Sequence, residues 1–119
     1  FVTLRSGNLC RTGDDQLDVI DIRNLQSPEL IKSYPLENPH GLGIRGNTLF
    51  VCEGEYGLKV FEVQKNAVLE LVRSYPEIRC HDVIVKDQVL IVVSSDGFYQ
   101  YDYSDPENLE LLSDVKLVP

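Results

Sequence analysis

Two histidines occupy the same place in a sentence that the chain writes twice. His40 lies in "KSYPLENPHGLGIRGNTLFV" and His81 in "RSYPEIRCHDVIVKDQVLIV", 41 residues further on. Imidazole is a common metal ligand and acid–base group, and carboxylates are its usual companions around a divalent ion. Hairpin counting brings acids close to both. With Gly46-Asn47 as a two-residue turn, Arg45 faces Thr48 and His40 faces Glu53. By the same count His81 faces Ser94 and Asp82 faces Val93, with Glu55 and Asp96 nearby. His40, His81, Glu53 and Asp82 are therefore the candidate ligand-binding residues, suited to a small ligand or a metal. The histidines fall in adjacent units, which sets them too far apart to chelate one ion unaided, so no resident metal or cofactor is implied. A structural role weighs more: a histidine repeated with the scaffold is expected to hydrogen-bond the backbone of the neighbouring unit.

A second group interrupts the repeat. When Phe1-Val2 is aligned with Phe50-Val51, the path to Leu17 is eight residues longer than its counterpart, and the excess lies in "RSGNLCRTGDDQ". Arg5, Asn8, Arg11, Asp14 and Asp15 make this stretch a candidate partner-binding loop, since polar insertions on regular scaffolds often carry function. A tolerated surface insertion is the competing reading.

Other recurring residues have plainer uses. Asp21, Glu62 and Asp102 form either a carboxylate array or, more simply, acceptors for the N–H groups of the turn that follows each. Tyr34-Pro35 and Tyr75-Pro76 read as an exposed aromatic strip or, better, as outer-strand ends where Pro stops further pairing. Cys10, Cys52 and Cys80 show neither a C-x-x-C pair nor zinc spacing, and their odd count leaves the redox compartment open. No nucleophile elbow, phosphate loop or zinc motif is present.

The elements that position these groups follow from the repeat. "LDVIDI" at Leu17–Ile22 returns as "LKVFEV" at Leu58–Val63 and as "FYQYDY" at Phe98–Tyr103. Each unit holds four short apolar runs, in the second copy Gly41–Arg45, Thr48–Glu53, Leu58–Val63 and Leu69–Tyr75. Turn formers separate them: Gly46-Asn47, Gly54 to Gly57, and the Pro-containing connections at Pro28 and Pro106. β-branched and aromatic residues fill the runs, and no stretch keeps helical spacing. Four antiparallel strands per unit, repeated in tandem, are the signature of β-propeller blades. The expected fold is all-β: blades at 1–36 (lacking its innermost strand), 41–77 and 82–118, eleven strands in all. Three blades do not close a ring, so the remaining blades are expected in cis or in trans. The opening "FVTLR" and the lack of Met read as an excerpt of a longer protein.

The segments "QLDVIDIRNLQSPELIKSYP" and "HGLGIRGNTLFVCEGEYGLKVFEV" resemble LVIVD repeats, a propeller-forming family of bacterial and archaeal surface and secreted proteins. Leu17–Asp21 stands on the family motif and Leu58–Glu62 is a second copy, while Phe98–Asp102 departs from it. The resemblance implies an extracytoplasmic location, as a secreted, surface or lipoprotein component, and it carries no catalytic residues.

Composition narrows the partners. A formal charge of −8 over 119 residues disfavours nucleic acid and anionic membranes. No apolar run approaches the roughly 20 residues of a membrane span. The expected function is a non-catalytic binding scaffold for a protein or glycan. The alternative is a propeller enzyme, or a small-ligand or metal binder, at the channel mouth around His40 and His81.

Overall fold

The computed structural model describes residues 1–6 and 13–117, and these are all-β. The strands are β1 (Val2–Leu4), β2 (Gln16–Asp21), β3 (Glu29–Pro35), β4 (Leu42–Arg45), β5 (Thr48–Cys52) and β6 (Leu58–Val63). There follow β7 (Leu69–Tyr75), β8 (Asp82–Val85), β9 (Val89–Ser94), β10 (Gly97–Asp102) and β11 (Glu110–Lys116). They form three antiparallel meanders, β1-β2-β3, β4-β5-β6-β7 and β8-β9-β10-β11. None closes on itself. The stretches Leu17–Ile22 and Leu58–Val63 fall in different sheets, as stacking of repeated units requires.

Local chemistry sets the register. Arg45 pairs with Thr48 across Gly46-Asn47, and Gly46 sits at φ +58°, a conformation open to glycine at little cost. The expected runs Gly41–Arg45 and Thr48–Glu53 each lose one residue at the end near His40, where the chain leaves its ladder to reach the next sheet. One feature recurs without any sequence mark. The pairing of third and fourth strands slips at Val19/Ile20, Val60/Phe61 and Gln100/Tyr101, equivalent places in the three units. Such bulges increase local twist, which helps each sheet curve over its neighbour.

The core lies between the sheets. Leu49 and Val51 of β5 pack with Leu17 and Phe61 toward the first sheet. Phe50 and Cys52, the alternate residues, pack with Leu58, Val60, Leu90 and Val92 toward the third. A strand buried on both faces reads as a continuous apolar run, which is why "TLFVC" shows no alternation. Close approach at the inner strands depends on Gly43, where a Cβ would come within 2.7 Å of the Val85 side chain.

The repeated tyrosines are inter-sheet staples. The Tyr34 hydroxyl accepts from the Leu69 N–H at 3.0 Å, linking the first sheet to the second. One unit later the Tyr75 hydroxyl accepts from the Leu109 N–H at 3.2 Å and donates to the Pro106 carbonyl at 2.7 Å. Tyr75 is buried, so the Tyr-Pro pairs do not make an exposed aromatic strip. Replacing Tyr75 by Phe removes both bonds and leaves two backbone groups without them. The expected loss is about 1–3 kcal/mol, read as a lower urea midpoint with unchanged m-value. The third unit has Val115 at this position. There the far face of the last sheet stays open, with Ile84, Phe98 and Val115 50%, 43% and 57% exposed.

Candidate functional site

The residues entering β4 and β8 meet where the second and third sheets come closest. The Gly41 N–H donates to the His81 carbonyl at 2.9 Å, a bond from one sheet to the next. Behind it, Gly54 and Cys80 exchange two backbone hydrogen bonds of 2.8 and 3.2 Å, and a Cys52–Cys80 disulfide joins the same segments with Cα atoms 5.0 Å apart. Cysteine spacing alone did not indicate this pairing. Cys10 lies outside the described residues, as do Asn8 and Arg11 of the candidate loop.

The same segments carry the two imidazoles. Their rings stand edge to face, centroids 5.0 Å apart and planes at 82°. The histidines of adjacent units are thus in ring contact, closer than their places one repeat apart suggested. The Gly41 bond to the His81 carbonyl joins the two segments, while within their own sheets the His40 N–H donates to the Cys52 carbonyl at 2.7 Å and the His81 N–H to the Val93 carbonyl at 2.8 Å. The Thr3 hydroxyl donates to the His40 carbonyl at 2.7 Å, bringing in the first sheet. Stapling at this point therefore runs through the main chain of the histidines.

Arg5 completes the cluster. Its Nη1 lies 2.8 Å from both ring nitrogens of His40, so the start of the insertion reaches the histidine pair. Burial, then the Arg5 guanidinium, then His81 hold the His40 pKa below its ordinary value. The acids of the candidate set do other things. Glu53 is only 1% exposed; its Oε1 accepts from the Glu37 N–H at 2.7 Å and its Oε2 faces Lys59 Nζ at 2.8 Å. That ion pair lies outside hydrogen-bond geometry, leaving Oε2 without a hydrogen-bond donor among the described residues. Glu53 is thus a buried acid held by the Glu37 N–H and Lys59, not an exposed side chain. Asp82 turns its Oδ1 to the Val83 N–H at 2.8 Å and packs against Gly41. In the loop, Asp15 Oδ1 accepts from the Ser6 N–H at 2.6 Å, and Asp14 is exposed.

The acids after the third strands behave largely as turn acceptors. Asp21 takes the Arg23 N–H at 2.9 Å and Asp102 the Ser104 N–H at 2.8 Å, whereas Glu62 is exposed on its strand. The Arg23 side chain bonded to Asp21 lowers that carboxyl's pKa further. A cleft of about 310 Å³ opens between the Glu77–Arg79 segment and the Ser94–Asp96 turn, floored by Tyr99 and Tyr101. Neither histidine lines it. The Tyr99 hydroxyl donates to Asp96 Oδ2 at 2.9 Å, lowering the Asp96 pKa and raising that of Tyr99.

The strand count expects His40, His81 and the Arg5–Gln16 insertion on one side of the blades; the direct contacts of Arg5 with His40 and of His40 with His81 go beyond that expectation. Sequence reasoning missed Asn38, which comes near Gly54 beside His40. The signal was the repeat itself: among the described residues, the segments before His40 and His81 connect one sheet to the next. Comparison with protein-family models, with curated proteins and with solved structures returns no match.

Proposed function

We propose that the chain is a set of β-propeller blades of the LVIVD type, acting as a non-catalytic extracytoplasmic scaffold that binds a protein or glycan. The observation that carries this is the stacking of repeated meanders, each bonded to the next by an equivalent tyrosine. A sheet built so that both faces are apolar needs a neighbour on each side, and ring closure is how propellers satisfy that need. Further blades, in cis or in trans, would cover Ile84, Phe98 and Val115. The Cys52–Cys80 bond supports an oxidising compartment. Among the described residues no group of three His, Cys, Asp or Glu side chains is placed to hold a metal.

The test is a glycan array and a panel of defined extracellular proteins probed with the purified chain, run beside chromogenic ester, phosphate-monoester and glycoside substrates. Saturable binding without turnover is expected. Turnover of any of those substrates, or no binding to either panel, overturns the reading.

A further inference from the structure

One place in the packing of sheet on sheet is filled in the second unit and open in the third. Between the first and second sheets Glu53 and Lys59 fill it. Lys59 pairs with Val51 across the ladder, and its Nζ lies 2.8 Å from one Glu53 oxygen while the Glu37 N–H bonds the other. One unit later Ser94 stands in the place of Glu53 and Tyr99 in the place of Lys59, with Tyr99 paired to Val92 as Lys59 is to Val51. A serine is too short to fill the space that a glutamate fills. The cleft of about 310 Å³ beside the Ser94–Asp96 turn lies here. Ligand clefts run from about 300 to 1,000 Å³, so this one has room for a single small ring.

Its walls suit a polyol. Tyr99 and Tyr101 offer aromatic faces, against which the C–H side of a sugar ring packs, and Asp96, Arg79, Ser95 and Glu77 stand around them for its hydroxyls. Asp96 is held in place by the Tyr99 hydroxyl at 2.9 Å, a bond that lowers its pKa and keeps it ionised at neutral pH. A carboxylate has about four lone-pair sites, so it can still accept from a ligand beyond Tyr99 and Ser94. The Tyr101 hydroxyl is part-buried and makes no hydrogen bond among the described residues. Burial, then Glu77, raise its pKa, so it remains a donor. Arg79 is exposed and forms no ion pair among the described residues. Two carboxylates against one guanidinium leave the cleft negative in a chain of formal charge −8, which disfavours acidic sugars and phosphate.

We propose that the cleft between the Glu77–Arg79 segment and the Ser94–Asp96 turn binds a neutral sugar ring, packed on Tyr99 and Tyr101 with its hydroxyls bonded to Asp96 and Arg79. This rests on the scaffold reading in taking a glycan as ligand, and it names the site and the class of sugar.

The experiment titrates the purified chain with the methyl glycosides of glucose, galactose, mannose and N-acetylglucosamine, and with glucuronate as the acidic counterpart. Calorimetry and backbone amide resonances are the readouts. Saturable binding of at least one neutral glycoside is expected, with a dissociation constant in the millimolar range and shifts centred on Glu77–Arg79 and Ser94–Tyr101. Glucuronate should bind about tenfold more weakly or worse. Asp96→Asn keeps an acceptor for Tyr99 but removes the charge, and should weaken binding about tenfold. Tyr101→Phe removes only the hydroxyl without a hydrogen bond, and should weaken binding about threefold with the melting temperature nearly unchanged. Ser95→Trp, on an exposed turn, fills the cleft and should abolish binding. Absence of saturable binding by every neutral glycoside, binding that survives Ser95→Trp, or glucuronate bound as tightly as the best neutral glycoside overturns the proposal. Array binding that persists in Ser95→Trp removes this site and leaves the scaffold reading intact. Hydrolysis of a chromogenic glycoside that Ser95→Trp abolishes keeps the site and overturns the non-catalytic reading.

Discussion

Phe50→Ala is expected to cost about 3–5 kcal/mol, against a total stability of about 5–15 kcal/mol for a domain. Phe50 is fully buried at the centre of the strand that is covered on both faces. It packs with Leu58, Val60 and Leu90 between the second and third sheets, and its ring stands edge to face with Tyr103, centroids 5.3 Å apart. Truncation removes the transfer free energy of the ring and the aromatic contact, and it opens a cavity lined by strands that their ladders hold in place. Chemical denaturation followed by circular dichroism measures the loss. Phe98→Ala is the internal control: that ring is 43% exposed on the open face of the third sheet, and its removal should cost less than about 1 kcal/mol. Equal effects at the two positions would mean that the open face is covered in solution.

Removal of the Cys52–Cys80 bond should be nearly as costly. The cysteines are 28 residues apart, and in the chain-entropy treatment closing a loop of that length in the unfolded state stabilises the fold by about 3–4 kcal/mol. The paired variant Cys52→Ala/Cys80→Ala, compared with the oxidised protein by thermal melting, isolates the contribution. The Gly54–Cys80 backbone bonds still join the segments in the variant. The rings of His40 and His81 should therefore stay in contact at low temperature and separate at a lower melting point than in the parent. An unchanged melting temperature would show that the cross-link adds nothing to this joint.

The placement of Arg5 against His40 joins features that lie far apart along the chain but that the strand count puts on one side of the blades. Arg5 belongs to an insertion, His40 and His81 to a repeat, and Asn38 to a connection with no mark of its own. They share only an end of the stack. The insertion leaves β1 at the end where the connections into β4 and β8 arrive, so antiparallel alternation brings their side chains together.

The sequence by itself determined the elements and their order. Strand positions, the Gly46-Asn47 turn, the pairing of Asp82 with Val93 and the separation of Leu17–Ile22 from Leu58–Val63 depend on local alternation, turn chemistry and repeat period. These interactions span a few residues, and their signals lie close together in the chain. The tertiary structure alone decided what crosses between sheets: the Cys52–Cys80 bond, the tyrosine hydroxyls on the Leu69 and Leu109 N–H groups, the burial of Glu53 and the contact of the two imidazoles. Each depends on how far apart the sheets sit and how they are twisted. Those quantities follow from the summed packing of many side chains and from bulges such as Val60/Phe61, whose residues are ordinary strand formers.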